Sequence, residues 1–353
     1  MAHILILRFS ALGDVAMTVP VIHALARQYP NDTITFATRK GWQPLFGELP
    51  GNVHIVGIDL AKYKGICGLE RLYKELRQTA SPHLVADLHD VLRTKYLRLR
   101  FSMQGCRVAH IDKGRREKRQ LTLGSHRLLR PLKHSVSRYA EVLQSLGRTI
   151  SASPVTLFSN RPQEMPDYLT RIVGTKSPSV RWIGVAPFAR HRGKIYPQEQ
   201  MSEVLRLLCN KADGRRIFLF GGGEQERTIC EEWANRFPAV TSLIGQATFS
   251  DELLLISKLD IMLSMDSANM HIAANCGTPV FSVWGATHPY AGFSPWGQPA
   301  EQQIGLDGLT CRPCSIYGNK PCPRGDYACL TQLPAKMIAE RIEHYLTTHP
   351  VRQ

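Results

Sequence analysis

The sequence lacks long apolar runs. No stretch of its 353 residues approaches eighteen consecutive apolar residues, the length that a membrane-spanning helix needs. The apolar stretch 4–7 ends at Arg8 and is too short for the core of a signal peptide. Nine cysteines in a chain of this length do not indicate a disulfide scaffold and fit a reducing compartment. We therefore expect a globular protein of the cytoplasm.

Acidic residues are also scarce, since 29 Asp and Glu accompany 44 Lys and Arg and leave a formal net charge of +15. The excess is concentrated between positions 93 and 133, where thirteen Lys or Arg residues accompany only two acidic ones. Such a basic segment suits an anionic membrane surface, a nucleic-acid backbone, or a solvated basic face. Only Tyr96 and Phe101 interleave as aromatic residues, and no nucleic-acid motif lies nearby, so nucleic acid is not expected as a partner.

Strands and helices alternate along the chain in two series, which predicts parallel, doubly wound sheets of the α/β class. The first series opens with a strand at 2–7 and a helix at 15–29. A Ser/Pro-rich stretch at 151–166 interrupts the pattern, and the second series begins with a strand at Trp182–Ala186. A chain of this length, with 43% apolar residues, can bury two cores. The expected segments are a first domain at 1–160, a second at 161–332, and a C-terminal helix at 333–353 that could pack on either.

The most informative stretch lies at 263–289. An apolar strand ends at Asp266, a helix opens with Ser267, Gly277 ends the helix, and a second apolar strand follows. The start of that helix presents unpaired amides and the positive end of the helix dipole, which suits a phosphate or diphosphate. A nucleotide is therefore the first ligand to consider.

Open parallel sheets bind ligands beyond the carboxyl ends of their strands, so three further loops are candidate ligand-binding positions. The first loop holds Ser10, Gly13 and Asp14. The Asp14 carboxylate could cap the helix that starts there, could take a proton from a hydroxyl at the site, or could do both.

The second loop follows the strand at Trp182–Ala186 and carries Arg190, His191, Arg192 and Lys194 within five residues. It is either a solvated basic loop or a clamp for a departing diphosphate. The third loop, 221–224, is rich in glycine and ends in a carboxylate. It matches neither the dinucleotide pattern nor the P-loop pattern, so it could be purely structural.

These loops resemble, at specific positions, the bacterial heptosyltransferase family, glycosyltransferase family 9, over nearly the whole chain. The motif that begins at Lys194 usually has Trp where Tyr196 stands, and Ala268 stands where many relatives have Gly. The segments that carry the resemblance, in the order of the family, are 6–15, 87–94, 194–197, 220–224 and 266–271.

The resemblance implies a GT-B fold, in which two Rossmann-like domains face each other across a cleft and hold the acceptor and the nucleotide sugar respectively. It implies an inverting transfer of a heptose from ADP-heptose to a lipopolysaccharide inner-core acceptor, in peripheral contact with the inner membrane and with no metal or other cofactor. The absence of any Asp-x-Asp triplet agrees with that. A nucleotide-sugar epimerase or hydrolase of the same fold, or a phosphate-binding regulator without turnover, remains an alternative.

By the same resemblance, Asp14 is the general base, Lys194 meets the donor diphosphate, and Glu224 meets the nucleotide ribose. Asp266 and the amides after it meet the sugar and diphosphate, while His271 could brace that loop or be purely structural. The donor-binding residues expected are Ser10, Gly13, Arg192, Lys194, Gly222, Glu224, Asp266, Ser267, Ala268, His271 and Thr287. The acceptor-binding residues expected in the basic segment are Arg93, Lys95, Arg115 and Arg116.

Four of the nine cysteines lie within nineteen residues, at Cys311, Cys314, Cys322 and Cys329. Four thiols could hold zinc in tetrahedral geometry, but the second pair lacks the short spacing that zinc sites usually show. Packed or redox-active thiols are the alternative. The transfer chemistry needs no metal from them.

Overall fold

The computed structural model describes residues 1–123, 126–158, 163–211 and 213–352, and it divides into two compact units. The N-terminal unit comprises Met1–Arg115 and Lys133–Leu157, and the C-terminal unit comprises Arg116–Leu132 and the chain from Phe158 onward. The domain boundary expected between 160 and 161 lies outside the described residues.

The N-terminal unit is built on a five-stranded parallel sheet in the order β3-β2-β1-β4-β5. Its central strands are almost continuously apolar because helices cover both faces of a parallel sheet. The strands are β1 His3–Leu7, β2 Thr33–Arg39, β3 Val53–Ile58, β4 Leu84–Asp87 and β5 Arg107–His110. The helices are α1 Leu12–Ala16, α2 Val19–Gln28, α3 Gly65–Ala80, α4 Leu92–Ser102 and α6 Ser135–Ser145.

The single helix predicted at 15–29 is wrong, because α1 ends at Ala16 and α2 begins at Val19. Pro20 explains the break. It has no amide hydrogen to donate, and inside a continuous helix its ring would clash with the carbonyl of Ala16, one turn earlier. Near the start of α2, where the first amides have no partner within the helix, the same proline is tolerated.

The segment Arg116–Leu132 packs with the C-terminal unit, although the expected first domain, 1–160, included it. Most of helix α5, Arg115–Leu121, lies in this segment. The ammonium of Lys118 lies over the Phe293 ring, and the Leu132 amide donates a hydrogen bond of 2.8 Å to the carbonyl of Tyr290. These long-range contacts hold the segment on the C-terminal unit. Its local sequence pattern does not predict them.

The C-terminal unit contains a six-stranded parallel sheet in the order β11-β10-β9-β6-β7-β8. The strands are β6 Trp182–Ala186, β7 Arg216–Leu219, β8 Val240–Ser242, β9 Ile261–Met265, β10 Val280–Trp284 and β11 Gln303–Gly305. The helices are α7 Asp167–Val173, α8 Gln198–Cys209, α9 Glu224–Arg236, α10 Phe249–Ser257, α11 Ala268–Asn275, α12 Ala328–Thr331 and α13 Ala335–Thr348.

The last helix, α13, packs on the C-terminal unit. Of the two domains on which the helix expected at 333–353 could pack, it is therefore the second. Its buried residues Ile338, Ile342 and Leu346 join the core that also holds Val204 and Leu208 of α8. None of the helices in the described ranges combines the length and the apolar character needed to cross a membrane.

Each sheet reverses its strand order once, and that reversal marks where a ligand is expected. In the N-terminal sheet the chain builds outward from β1 through β2 to β3, then returns to the other side of β1 with β4. In the C-terminal sheet it builds outward from β6 and returns beside it with β9. Ligands of open parallel sheets bind at such switch points, so the loops after β1, β4, β6 and β9 are the candidate positions.

Candidate functional site

At the switch point of the C-terminal sheet, three loops bring their side chains to one carboxylate. Asp266 follows β9, Lys194 ends a short 3-10 helix, Arg192–Lys194, in the loop after β6, and Thr287 follows β10. The Lys194 Nζ lies 2.9 Å from Asp266 Oδ2, and the Thr287 hydroxyl donates to the same oxygen at 2.7 Å. The Asp266 carboxylate is buried, so its contacts with the Lys194 ammonium and the Thr287 hydroxyl are shielded from water, unlike a surface ion pair.

The start of α11 lies directly after Asp266. Ser267 is its extended N-cap residue, its hydroxyl lies 3.2 Å from that of Ser264, and Ala268 is the first helical residue. His271, one turn later, is buried in α11. The early amides of a helix and its dipole favour an anion at this place.

The loop that carries Lys194 is fixed by close backbone packing. The Gly193 carbonyl accepts a hydrogen bond of 2.8 Å from the Ala286 amide, next to Thr287. A Cβ on Gly193 would lie 2.9 Å from the Ala286 Cβ and 3.0 Å from the Gly318 carbonyl oxygen, so only glycine fits. The Lys194 stem packs on Gly318, where a Cβ would lie 2.6 Å from its Cγ.

Arg312 supports this site, and the sequence analysis missed it. Its side chain is buried, and its Nε donates to the carbonyls of Gly285 and Thr287 at 2.9 and 3.3 Å. Its Nη1 donates to the carbonyl of Leu306 at 3.0 Å, and burial lowers the pKa of the guanidinium. Arg312 thereby ties the loop that carries Thr287 to the loop after β11. A basic residue among cysteines gave no sequence signal for this role.

The glycine loop after β7 lies on the other side of β6. Its Gly222 amide donates at 2.8 Å to the Glu226 carboxylate, and burial raises the pKa of Glu226. Glu224, the residue expected at the ribose, is exposed and pairs at 2.6 Å with Arg227 on its own helix. Its ribose contact therefore stays a prediction.

Arg192, also expected to bind the donor, lies in the basic loop after β6, two residues before Lys194. Its guanidinium lies 4.8 Å from the centroid of the Tyr327 ring, and its Nη1 donates at 2.9 Å to the carbonyl of Ile195. These contacts orient the side chain within the C-terminal unit. Whether it meets a ligand stays a prediction.

At the N-terminal switch point, Asp14 lies in the first turn of α1. Its Oδ2 accepts from the Ala11 amide at 3.0 Å and pairs with the Arg8 guanidinium at 2.8 Å. The carboxylate therefore caps the helix, as one of the two expected roles requires. Arg8 is buried and also donates to the carbonyl of Leu88 in the loop after β4. Gly13, the preceding residue, accepts the helical bond from the Met17 amide.

Ser10 and His89 join the loops after β1 and β4. The Ser10 hydroxyl lies 3.0 Å from His89 Nε2. Burial lowers the pKa of His89 to about 3, and the nearby charges of Arg8 and Lys113 add to that effect. His89 is therefore a neutral hydrogen-bonding group at physiological pH.

Asp87 and Asp90 gather the cations of the basic segment at this edge. The fully buried Asp87 accepts from the His89 amide at 2.9 Å and from Arg98 at 3.1 Å. Asp90 pairs with Lys95 at 3.8 Å and with Arg115 at 3.6 Å. Two of the four expected acceptor-binding residues thus meet at one carboxylate.

The other two are placed differently. Arg93 lies in the first turn of α4, and its buried Nε has no hydrogen-bond partner within the described part of the chain. Arg116 is exposed and opens the segment that packs with the C-terminal unit. The structure therefore does not gather all four residues in one unit.

A family model described as glycosyltransferase family 9 (heptosyltransferase) matches residues 71–321, well over half of the chain. The chain belongs to glycosyltransferase family 9. It is thus a glycosyltransferase, and the resemblance found in its motifs is confirmed.

Individual relatives of this family 9 chain are distant in sequence. Lipopolysaccharide heptosyltransferase 3 of Escherichia coli is 27% identical over 292 residues, which cover 80% of this chain and 83% of the relative. A family 9 glycosyl transferase of Veillonella parvula superposes with a TM-score of 0.75 at 18% identity, covering 99% of this chain and 98% of that one. Escherichia coli heptosyltransferase WaaC with ADP-2-deoxy-2-fluoro heptose superposes with a TM-score of 0.63 at 18% identity, covering 97% and 99%.

The expected fold class is confirmed for this family 9 enzyme. Both units carry parallel α/β sheets, and the solved family 9 structures share the GT-B fold. At identities of 18% these structures establish the fold alone, so the roles of individual residues remain proposals.

Three of the four clustered cysteines, Cys311, Cys314 and Cys322, lie in the loop that packs beside Lys194, and Cys329 lies in the short helix α12 that follows it. All nine cysteines are free, and the described residues contain no group of three or more His, Cys, Asp or Glu side chains that could hold a metal ion. Burial raises the pKa of the Cys329 thiol to about 11, and that of Cys314 is raised as well. The Cys314 and Ser315 amides donate to the Ala286 carbonyl, so this loop packs against the backbone next to Thr287.

Proposed function

We propose that the chain transfers a heptose from an ADP-activated donor to an anionic lipopolysaccharide core acceptor, with inversion at the anomeric carbon. The observation that carries this proposal is the Lys194–Asp266 ion pair beside the start of α11, at the switch point of the C-terminal sheet. A cation next to a helix N-terminus suits the diphosphate of a nucleotide sugar. The WaaC structure with an ADP-heptose analogue supports ADP as the nucleotide.

In the proposed reaction, Asp14 removes the proton of an acceptor hydroxyl while that oxygen attacks the anomeric carbon. The attack comes from the face opposite the diphosphate, the bond from the anomeric carbon to the diphosphate oxygen breaks, and its electrons leave with ADP. Lys194 and the first amides of α11 stabilise the charge that develops on the departing oxygen. The step uses no metal ion or other cofactor.

Asp14 is the better base of the two candidates at the N-terminal switch point. The alternative, His89, is buried, and its Nε2 lies 3.0 Å from the Ser10 hydroxyl, so it is less accessible to an acceptor hydroxyl. Asp14 lies in the first turn of α1, with its carboxylate about one-third exposed. Ser10 and Gly13 are then proposed to line the reacting end of the donor.

The acceptor is proposed to bind the N-terminal unit, which contains most of the expected first domain but not the segment Arg116–Leu132. Lys95, Arg115 and Arg93 would meet its phosphates and carboxylates, with Arg116 contributing from the start of that segment. The C-terminal unit would bind the donor through Glu224, Asp266 and their neighbours. We propose that the enzyme works in the cytoplasm, in peripheral contact with the inner membrane, where such an acceptor is presented.

The test is to incubate purified protein with a panel of nucleotide sugars, with and without a truncated lipopolysaccharide core acceptor. We expect released ADP and an acceptor heavier by one heptose, seen by mass spectrometry, only when ADP-heptose and acceptor are both present. Release of a rearranged or free sugar without acceptor would identify an epimerase or hydrolase instead. Binding of nucleotide sugar with no product in any mixture would identify a regulator.

A further inference from the structure

Helix α4, Leu92–Ser102, has apolar side chains on two opposite faces. Its inner face packs into the core of the N-terminal unit through Leu97 and Phe101, which are buried. Its outer face carries Leu92, which is 86% exposed, and Leu99, which is 58% exposed. Two exposed leucines on one helix, well outside the core, need a separate explanation.

The exposed side chains form a single stripe. Leu92, Lys95, Leu99 and Met103 follow one another at helical spacing, and Met103, just past the end of α4, is 66% exposed. We call these four residues the α4 stripe. Among the described residues, six of the eleven exposed large apolar side chains lie between 92 and 129, so apolar exposure and the basic segment coincide.

Cations border the α4 stripe on both sides. Helical spacing places Arg93 and Arg100 along one side and Arg98 along the other, and α4 itself contains no acidic residue. Three cations of α4 have a carboxylate partner: Arg98 pairs with Asp87, Arg100 with Glu70, and Lys95, whose side chain is about half exposed, more loosely with Asp90 at 3.8 Å. An apolar stripe bordered by cations complements an anionic lipid surface, in which apolar side chains enter the headgroup boundary and cations meet phosphates.

We infer that the α4 stripe docks on an anionic lipid bilayer, with Leu92, Leu99 and Met103 inserted between the headgroups. The inference deepens the proposed function, because it supplies the surface for the membrane contact that a lipid-linked acceptor requires. The helix begins three residues after His89, at the carboxyl edge of the sheet. Docking therefore places Leu92, at the carboxyl edge of the sheet where the Asp14 loop also lies, against the bilayer. A second copy of the chain fits less well, since a two-fold contact would set the same cations against each other.

The first test is co-sedimentation with vesicles of phosphatidylcholine alone or mixed with phosphatidylglycerol. We expect the native protein to bind the mixed vesicles, to bind the neutral ones weakly, and to dissociate as salt rises. Leu99→Gln should lower partitioning to the mixed vesicles by about ten-fold, because it removes one inserted side chain. Leu128→Gln is the matched control, since Leu128 is 52% exposed and lies in the same basic segment outside α4. An equal loss in both variants would overturn the assignment to α4.

The second test locates the contact directly. Leu99→Trp should show stronger quenching by brominated lipid than the native protein, whereas Leu128→Trp should not. Equal quenching at the two positions, or vesicle binding that ignores lipid charge, would contradict the inference. Self-association in sedimentation velocity that Leu99→Gln abolishes, without vesicle binding, would assign the stripe to a second copy instead.

The outcomes separate this inference from the proposed function. On a water-soluble truncated acceptor, Leu99→Gln should transfer heptose as the native enzyme does, since Leu99 is not among the residues proposed to bind donor or acceptor. Heptose transfer without any vesicle binding would contradict the docking of the α4 stripe but support the proposed function. Vesicle binding without any transfer would do the reverse.

Discussion

The ammonium of Lys194 lies 2.9 Å from the carboxylate of Asp266, and both side chains are largely buried. They come from loops after two neighbouring strands, β6 and β9, and Thr287 after β10 binds the same carboxylate oxygen. In this arrangement Asp266 holds the Lys194 ammonium in place, as its proposed role toward a diphosphate requires. Preorganised charge of this kind stabilises a leaving group without further rearrangement.

Replacing Lys194 with alanine should weaken both donor binding and transfer. The substitution removes the cation that we propose faces the diphosphate, and it leaves the buried Asp266 carboxylate without its ion pair. We expect the Kd for ADP, from calorimetry, to rise by about ten-fold or more, and kcat to fall as well. Arg190→Ala is the matched control, because it removes one exposed positive charge from the same loop. Unchanged Kd and kcat in Lys194→Ala would remove this residue from the site.

Asp14→Asn should bind donor almost normally and lose turnover. The amide keeps the size of the side chain but cannot accept the hydroxyl proton, so we expect kcat to fall by roughly 10²–10⁴-fold. Asp112→Asn, an exposed carboxylate in the same unit, should retain native kcat. Circular dichroism checks that Asp14→Asn, which alters the Arg8 ion pair, still folds. Turnover near the native rate would contradict the assignment of the base.

Thr287→Val should perturb Asp266 through one lost hydrogen bond. Valine fills the same volume, so the loss isolates the hydroxyl, and because Lys194 still pairs with the same oxygen we expect a cost of about 1 kcal/mol, that of one hydrogen bond. We expect a lower midpoint of thermal unfolding and a higher KM for donor. Thr287→Ser keeps the hydroxyl and should restore most of both values. A serine variant as impaired as the valine variant would indicate that the methyl group matters instead.

Arg312→Gln should destabilise the C-terminal unit and loosen the Thr287 loop. The substitution leaves the carbonyls of Gly285 and Leu306 without their donor, and we expect the free energy of unfolding to fall by about 2 kcal/mol. Donor KM should rise more than kcat falls, since the residue acts only through the loop. Guanidinium added at low concentration should partly restore the KM for donor. If the variant is destabilised but keeps the native KM, Arg312 contributes to stability and not to donor binding.

His89 should make folding stability depend on pH. Its pKa is lowered from 6.5 to about 3 in the folded protein, mainly by burial. Between these values the unfolded chain binds a proton that the folded chain does not, so stability falls as pH decreases through this window. From pH 6.5 to 5 the loss from His89 should be about 2 kcal/mol. Urea unfolding of the native protein and His89→Gln at both pH values measures it, and equal pH slopes would contradict the shift.

The sequence by itself determined the fold class and much of the strand pattern. The predicted strand at Trp182–Ala186 is confirmed to the residue. Strands buried on both faces of a parallel sheet leave continuous apolar runs that local reading can find. The sequence predicted helix boundaries less accurately. Proline is tolerated in the first turn of a helix but breaks its interior, and the sequence pattern did not show which of these positions Pro20 occupies.

The partners of each site residue were decided only by the tertiary structure. Motif spacing placed Lys194 and Asp266 at strand ends, but the order of strands in the sheet brought them to 2.9 Å. Glu226 at the glycine loop and Arg312 beneath Thr287 carried no local signal. Strand order and long-range packing follow from how whole faces of the chain bury one another, and residue periodicity, which reports only local burial, does not specify which distant loops meet.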